Sequence, residues 1–315
     1  MFFTLNPLKP LGRKYPWIYQ YRFDAGLIFG SYFLLGVLFA LQPVDNVNSF
    51  IWKMICGFIC VYSYTFFAFL INDLFDAPYD ALDPRKSKRN LFLNKYKEKR
   101  LIPYLIFLTS ILIALGTACI LGPIALGVTV IGLFMGLYYS SPPIRAKNRP
   151  GLDLFFHATA FGGNILVLGY LVWQSGDLLL LILYLYACLD SIWIEMNNQI
   201  RDYEIDKAGG QTTTFTWLGY EKGIILHRLV IFLIILSLGV GIGINLESLD
   251  PQDDFIIFWP AVLGVSISFL VSLIFLVYSK RFTRLKQFTR VRNYTVHPLF
   301  GLLFLVEVIP RFFST

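Results

Sequence analysis

Two acidic motifs with the same spacing occur in this sequence of 315 residues. Each motif reads Asn, three residues, Asp, three residues, Asp, and the second begins at residue 198, 126 positions after the first at residue 72. In an α-helix, residues four positions apart lie on one face, so each motif would form a stripe of oxygen-bearing side chains. The first stripe would contain Asn72, Asp76 and Asp80, and the second would contain Asn198, Asp202 and Asp206.

Carboxylates packed this closely need positive charge beside them, because like charges four residues apart destabilise a helix by roughly 0.2–0.5 kcal/mol per pair. Mg²⁺ suits carboxylate oxygens and usually takes one or two of them together with waters and phosphate oxygens. Two facing stripes could hold two Mg²⁺ ions and a diphosphate between them. The four aspartates are therefore the predicted catalytic residues, and all six motif residues are the predicted metal ligands. Two solvated helix ends are the alternative, which the repetition of the motif disfavours.

The helices that carry the motifs are predicted to cross a membrane. The chain is 56% hydrophobic and 15% charged, against about 45–50% and about 25% in ordinary soluble domains. Its mean hydropathy of +0.62 also fits a polytopic membrane protein. We predict an all-α integral membrane protein with about nine transmembrane helices, at 24–41, 49–72, 101–121, 122–140, 152–173, 178–199, 223–246, 255–279 and 294–310.

No linker or low-complexity segment divides the chain, so residues 1–315 are predicted to form one polytopic membrane domain. The repeated motif predicts two homologous halves that face each other, roughly 20–150 and 151–310. The four cysteines lie in apolar runs and show no disulfide framework.

Positive charge is concentrated in alternate connections between the predicted spans. The basic connections are 73–100, 141–150, 201–222 and 280–292, whereas 42–48, 121–123, 174–177 and 247–254 contain no Lys or Arg. By the positive-inside rule, the basic connections, both motifs and the N-terminus lie in the cytoplasm. An odd number of helices then places the C-terminus outside. These loops account for the net charge of +7, and no nucleic-acid partner is predicted.

Other polar residues near the motifs are predicted to bind the substrates. Arg145 and Lys147 follow the fourth span closely and could contact phosphate oxygens. The basic stretch 85–89 follows the first motif and could cover the site. The residues predicted to bind substrate are Asn72, Asp73, Tyr139, Arg145, Lys147, Asp190, Glu195 and Asn198.

Two acids, Asp190 and Glu195, lie inside the sixth predicted span. Acids within a membrane usually face a cavity or a partner, so either could contact the acceptor or take up a proton. Asp190 lies twelve residues before Asp202, and we expect the two on a similar helix face. A structural ion pair with Arg228 or His157 is the alternative.

Together these residues resemble the UbiA superfamily of intramembrane prenyltransferases. The resemblance spans essentially the whole chain and lies in Asn72-Asp73 with Asp76 and Asp80, in Tyr139-Ser140 through Arg145 and Lys147, and in Asp202 and Asp206 followed by Gly210, Thr212 and Thr213. It implies a helical bundle around a central cavity with a lateral opening to lipid. It also implies Mg²⁺-dependent transfer of a polyprenyl group from its diphosphate to a lipophilic acceptor in the bilayer.

The acceptor is predicted from one departure from the family pattern. Quinone-type members often carry an Arg-Pro pair soon after the first motif, and the stretch from Asp83-Pro84-Arg85-Lys86 to Asn90 lacks it. This continuation is more similar to the lycopene elongase branch, which implies a carotenoid acceptor. The alternatives are prenylation of an aromatic quinone precursor or a lipid glycerol, and, in another class, a secondary transporter with an inverted-type repeat.

Overall fold

The computed structural model describes residues 21–40, 46–81, 84–93 and 101–248, and within these ranges it contains helices and no β-strand. In chain order the helices are α1 (Phe23–Ala40), α2 (Val47–Asp80), α3 (Pro84–Arg89), α4 (Leu101–Leu121), α5 (Pro123–Ser140), α6 (Leu152–Ala158), α7 (Asn164–Leu171), α8 (Leu178–Ala208), α9 (Thr214–Leu218) and α10 (Tyr220–Ser248). A 3-10 turn at Ala146–Asn148 precedes α6, and a π turn at Thr159–Gly163 joins α6 to α7.

Five helical segments within the described ranges are long and apolar enough to cross a bilayer. They are α2, α4, α5, the continuous segment Leu152–Leu171 and α8. They confirm the spans predicted at 49–72, 101–121, 122–140, 152–173 and 178–199. Helices α1 and α10 coincide with the spans predicted at 24–41 and 223–246. The spans predicted at 255–279 and 294–310 lie outside the described residues.

Helices α2 and α8 continue well beyond their apolar spans, to Asp80 and Ala208. The end of an apolar stretch marks where a helix leaves hydrocarbon, whereas hydrogen bonding can propagate the helix through polar residues. Asp177 caps the other end of α8, where its side chain accepts a hydrogen bond from the Leu180 N–H. Both acidic motifs are therefore helical along their whole length.

A tight turn at Gly122 reverses the chain between α4 and α5, as the sequence predicts. Gly122 has a φ of +115°, which L side chains rarely adopt, and Pro123 occupies the first turn of α5. The two helices pack beside each other and against α2.

Close backbone contact between α1 and α7 holds the interior of the bundle together. A Cβ atom on Gly36 would lie 2.2 Å from the Leu166 carbonyl oxygen, and one on Gly169 would lie 2.1 Å from that of Phe33. Only glycine permits this approach, which is the usual way that helices associate in lipid. Helix α8 packs against α6, the π turn and α10, and so brings the second motif towards the first.

Candidate active site

A polar cavity of about 1160 Å³ lies between the motif-bearing ends of α2 and α8. All six motif residues line it, so the structure brings together the two stripes that the sequence predicts. Phe69, about one turn deeper in the bundle than Asn72, and Tyr139 give the cavity an aromatic inner wall. The basic residues that line it are Arg22, Lys86, Arg89, Lys147 and Arg201.

Lys147 is in contact with the first stripe. Its ammonium forms an ion pair with Asp76 and donates a hydrogen bond to Asn72 Oδ1 at 3.0 Å. Ser140 Oγ donates to the same Asn72 oxygen at 2.9 Å. Burial lowers the pKa of Lys147 below its usual range, and the neighbouring Asp76 carboxylate opposes that shift. A cation is thus held beside the carboxylates at the cavity wall.

Arg145 also contacts the first stripe, although it is not among the residues that line the cavity. Its Nη2 lies 3.5 Å from Asp76 Oδ1, and its guanidinium lies over the Tyr79 ring at 5.7 Å. Arg145 adopts a left-handed backbone with φ +43° and begins the 3-10 turn that carries Lys147. This turn directs both side chains of the short connection towards α2.

Asn90 fixes the basic segment that follows the first motif. Its Nδ2 donates to Asp80 Oδ2 at 2.9 Å and to the Asp73 carbonyl oxygen at 2.7 Å. Asp73 itself is buried and forms an ion pair with Arg22. Asp73 and Arg22 both line the cavity, and the substrate-binding role of Asp73 stays a prediction.

The second stripe faces Lys86, which comes from the segment that follows the first stripe. Lys86 Nζ lies 3.6 Å from Asp202 Oδ2, and Arg201 Nε lies 3.1 Å from Asp202 Oδ1. Asp206 is nearly buried on the same wall. The expectation that the basic segment covers the site holds for Lys86 and Arg89, both of which line the cavity.

A buried carboxylate, Asp153, anchors the loop that follows α8. It accepts hydrogen bonds from the Thr214 N–H at 2.6 Å, from the Thr214 hydroxyl and from Gln199 Nε2 at 2.9 Å. Gln199 Oε1 in turn accepts from the Phe215 N–H at 3.1 Å. Gln211 and Thr213 of this loop line the cavity beside Asp206, so Asp153 helps to shape that wall.

Glu195 lies on the inner part of the cavity wall. Tyr139 Oη donates to Glu195 Oε1 at 3.1 Å, and Asn198 Nδ2 donates to Oε2 at 3.2 Å. His157 Nε2 lies 3.6 Å from Oε2, so His157, one of the two structural partners considered from the sequence, lies beside Glu195. Asn198 donates to Glu195 through Nδ2, which leaves its Oδ1 able to bind a metal, and both asparagines line the cavity, so Asn72 and Asn198 stay predicted metal ligands beside the four aspartates.

Asp190 does not take part in this cavity. Its side chain is fully buried, it accepts a hydrogen bond from Tyr32 Oη at 2.7 Å, and it is not among the lining residues. The expectation that it shares a face with Asp202 is wrong, because twelve residues make about three and a third turns and so leave the two about 120° apart. A role for Asp190 in binding substrate in this cavity is therefore not supported.

Asn90, Asp153 and Gln199 are polar residues of the site that were not predicted from the sequence, and so are Glu204 and Gln211 of the cavity lining. Gln199 could have been noticed, because a polar side chain inside an apolar helix must find a partner. The roles of Asn90 and Asp153 depend on contacts with Asp80 and Thr214, which only the packing of the helices reveals.

The donor set of the cavity suits Mg²⁺ once phosphate is present. Within the described ranges no three Asp, Glu, His or Cys side chains lie close enough together to hold a metal ion by themselves. Asp76, Asp80, Asp202 and Asp206 nevertheless line one cavity, and Mg²⁺ needs only one or two carboxylates when waters and phosphate oxygens complete its shell. An open site of this kind fits these residues.

Solved structures with the same fold share low sequence identity with this chain. An apo UbiA homologue from Aeropyrum pernix K1 is 16% identical, with a TM-score of 0.71, and the match covers 90% of this chain and 98% of that one. A UbiA homologue from Archaeoglobus fulgidus bound to GPP and Mg²⁺ is 17% identical, with a TM-score of 0.70 and coverage of 91% and 98%. A digeranylgeranylglyceryl phosphate synthase in membranes is 15% identical, with a TM-score of 0.59 and coverage of 93% and 97%.

No curated protein matches this sequence. The UbiA prenyltransferase family, by contrast, matches residues 31–279, which is most of the chain. Because this is a family of enzymes, the match decides against the transporter alternative, and the apolar helices agree with a multi-pass membrane enzyme. The chain therefore belongs to the UbiA prenyltransferase family.

Proposed function

We propose that this protein transfers a prenyl group from an allylic diphosphate to a lipophilic acceptor and that it requires Mg²⁺. The observation that carries the proposal is the single cavity lined by both carboxylate stripes and by Lys86 and Lys147. Carboxylates suit Mg²⁺ and cations suit phosphate oxygens, so the cavity complements a magnesium diphosphate. The Archaeoglobus fulgidus homologues bound to GPP or DMAPP with Mg²⁺ support the same substrate class.

The aspartates and the cations have different roles in this proposal. Asp76, Asp80, Asp202 and Asp206 hold Mg²⁺, which when bound neutralises charge on the departing diphosphate. Lys147 and Lys86 bind the diphosphate. Lys147 is kept at the cavity by its ion pair with Asp76 of the first stripe, and Lys86 by its ion pair with Asp202 of the second. When substrate binds, each ammonium exchanges a carboxylate oxygen for a phosphate oxygen.

The inner wall protects the allylic cation that remains when the diphosphate leaves. Phe69 and Tyr139 face the cavity, and Phe161 packs behind them with ring centroids 5.9 Å and 6.3 Å away. An aromatic face stabilises a cation by roughly 0.5–2 kcal/mol. The same wall keeps water from the cation, so the acceptor competes with little solvent.

The acceptor that these residues favour is a long apolar isoprenoid, such as a carotenoid end group. The Arg-Pro pair of quinone-type members is absent, and Asn90 follows Arg89 instead. Arg22 lines the cavity but is paired with buried Asp73, so an aromatic carboxylate would have to replace that ion pair. Glu195 on the inner wall would repel such a carboxylate, whereas an apolar alkene carries no charge for it to oppose.

A comparison of three acceptors tests the proposal that the acceptor is a carotenoid. The purified protein in vesicles receives Mg²⁺ and a labelled five-carbon allylic diphosphate, with lycopene, 4-hydroxybenzoate or a lipid glycerol as the acceptor. We expect label in a lycopene product. Efficient prenylation of the benzoate or the glycerol, with lycopene untouched, would overturn the acceptor and leave prenyl transfer intact.

We also propose that the cavity faces the cytoplasm and that one polytopic domain is built from two homologous halves. The basic connections 73–100, 141–150 and 201–222 lie on the side of the two motifs, which supports this orientation. The N-terminus would then lie in the cytoplasm and the C-terminus outside. The repeated motif on α2 and α8 supports the two halves.

A further inference from the structure

The inner wall of the cavity has a second layer of aromatic rings behind it. Phe69 is the innermost α2 residue of the lining, and the rings of Phe29 and Phe161 pack on it with centroids 6.0 Å and 5.9 Å away. The centroids of Phe29 and Phe161 are 5.1 Å apart, and both residues are buried and do not line the cavity. Tyr139, which also belongs to the inner wall, lies edge-on to Phe161 at 6.3 Å. We call Phe29, Phe69 and Phe161 the phenylalanine cluster.

The π turn places Phe161 in this cluster. Phe161 is the central residue of the turn Thr159–Gly163, whose wider hydrogen-bonded ring accommodates one more residue than a turn of α-helix. The turn packs directly on α8, since a Cβ atom on Gly162 would lie 2.3 Å from the Ala187 carbonyl oxygen. Because backbone meets backbone at this point, helix packing fixes the position of Phe161.

The space behind the phenylalanine cluster is filled by side chains. About one turn further into the bundle, Phe33 follows Phe29 on α1 and Ile165 follows Phe161 on α7, and both are fully buried. The two helices are in backbone contact there, because a Cβ atom on Gly169 would lie 2.1 Å from the Phe33 carbonyl oxygen. Within the described ranges, a hydrocarbon chain that extends straight inwards from the cavity therefore meets packed side chains, and Phe69 is the first of them.

The depth available to the prenyl group can be counted along α2. Lys147, which contacts the first stripe, binds Asn72 and Asp76, and these follow Phe69 by three and seven residues. At 1.5 Å per residue, Phe69 lies about 4.5 Å deeper than Asn72 and about 10.5 Å deeper than Asp76. One isoprene unit adds four bonds along the chain and, at bond lengths near 1.5 Å, extends by roughly 5 Å. A phosphate held between these two levels, about 7.5 Å from Phe69, leaves room for one inward-pointing unit and not for two.

We propose that the phenylalanine cluster restricts the donor to an allylic diphosphate with one isoprene unit; this inference rests on the proposed function. Phe69 is the specificity-determining residue, because its ring is the part of the cluster that meets the end of the prenyl group. Phe29 and Phe161 are positioning residues that keep this ring in place, and the Arg22 guanidinium packs on the same ring, 5.1 Å from its centroid. A ten-carbon group that points inwards would have to displace Phe69 into the filled interior.

The first experiment measures the choice between donors of different length. Full-length protein in vesicles receives Mg²⁺ and labelled dimethylallyl or geranyl diphosphate, with lycopene or 4-hydroxybenzoate as the acceptor, and kcat/KM for diphosphate release is measured for each donor. A hydrophobic pocket discriminates a single methylene by roughly 10- to 200-fold, so the unsubstituted protein should favour the five-carbon donor at least about tenfold. Equal use of the two donors, or a preference for geranyl diphosphate, would overturn the inference. Release from neither donor with either acceptor would instead overturn the proposed function.

Substitutions in the cluster test which residue sets the limit. Phe69→Ala should shift the ratio of the two kcat/KM values towards geranyl diphosphate by at least about tenfold, and Phe69→Leu should shift it in the same direction by less. A loss of rate that is common to both donors, such as weaker stabilisation of the allylic cation, cancels in this ratio. Phe161→Ala should shift the ratio less than Phe69→Ala, because the Phe69 ring remains and only gains space to move back. An unchanged ratio in Phe69→Ala would overturn the inference, and if that variant does not fold, Phe69→Leu decides in the same way.

Phe67→Ala is the matched control. Phe67 is a buried phenylalanine on the same helix as Phe69, and it packs on Phe107 at 4.9 Å but does not line the cavity. Its truncation removes the same side-chain atoms at another place in the bundle, so the ratio of the two donors should equal that of the unsubstituted protein. A shift as large as that of Phe69→Ala would show that loosening of the bundle, and not depth at Phe69, alters the choice of donor, and would overturn the inference.

Discussion

Asp76 and Lys147 form an enclosed ion pair, whereas the pairs of Asp202 are open. The side chain of Lys147 is 11% exposed, but Lys86 and Arg201 beside Asp202 are 44% and 54% exposed. Exposed pairs are screened by water and contribute little, while a buried charge that loses its partner is costly. The sequence predicts Asp76 and Lys147 as site residues, but their pairing spans 71 positions and depends on how α5 packs on α2.

At this scale we predict the effect of removing Lys147. Lys147→Ala should raise the KM for the prenyl diphosphate by roughly 10- to 100-fold, because a hydrogen bond to a charged group contributes about 1.5–3 kcal/mol. The KM for the acceptor should stay unchanged. Arg149→Ala is the matched control, since Arg149 is exposed in the same connection and donates to the Pro143 carbonyl oxygen. An altered KM for the acceptor alone would reverse the role assigned to Lys147.

The sequence predicts which segments form the long helices that carry the site, but it does not predict where two of these helices end. The apolar runs locate both ends of α4 and α5, and the first residues of α2 and α8, within about two residues, since a bilayer requires about 20 apolar positions. The runs say nothing about polar helical ends or about short elements such as α3 and α9. Asn90 and Thr214 decide where those short helices lie, through hydrogen bonds to residues distant in sequence.

The segment containing α3 yields a prediction about Asn90. Asn90→Ala removes the hydrogen bonds to Asp80 and to the Asp73 carbonyl, so Lys86 should no longer be held near Asp202. We expect the KM for the diphosphate to rise about tenfold. The rise should be much smaller when Lys86 is already alanine, which a double-mutant cycle measures. Fully additive effects of the two substitutions would show that Asn90 does not act through Lys86.

Packing of α1 on α7 gives a prediction about stability. Gly169→Ala places a Cβ atom 2.1 Å from the Phe33 carbonyl oxygen, so the helices must separate, and we expect a loss of at least about 1–3 kcal/mol. Gly116→Ala is the control, because a Cβ there meets no atom within 4 Å. Thermal unfolding in detergent should show a lower midpoint for the first variant only. Equal midpoints would contradict the close approach of α1 and α7.

On the scale of the whole molecule, the family could be recognised from sequence because the two motifs and the loop through Lys147 are local patterns. The cavity could not be predicted from the sequence, since it exists only where α2, α5 and α8 meet. Asp190 shows the same limit: its place in a span is visible, but its partner Tyr32 lies 158 positions away. The orientation of Asp190 relative to Asp202, in contrast, does follow from the sequence, because twelve residues at about 100° each leave the two side chains about 120° apart.

The proposed orientation in the membrane, with the basic connections in the cytoplasm, can be tested by labelling of introduced cysteines. Arg149→Cys lies in a basic connection and Ser175→Cys in one without Lys or Arg, and both positions are exposed. A membrane-impermeant maleimide applied outside intact cells should label the Ser175 variant above the background of the unsubstituted protein. The Arg149 variant should react only after the cells are opened. The reverse pattern would invert the orientation.

The central claim is that both aspartate stripes serve Mg²⁺-dependent ionisation of a prenyl diphosphate. The most direct measurement is release of diphosphate from labelled dimethylallyl diphosphate at saturating Mg²⁺ by Asp76→Asn and Asp202→Asn. We predict that each variant loses at least about 100-fold in rate and remains folded, while Glu221→Gln, an exposed acid on α10, keeps full activity. Full turnover by either aspartate variant would contradict the claim.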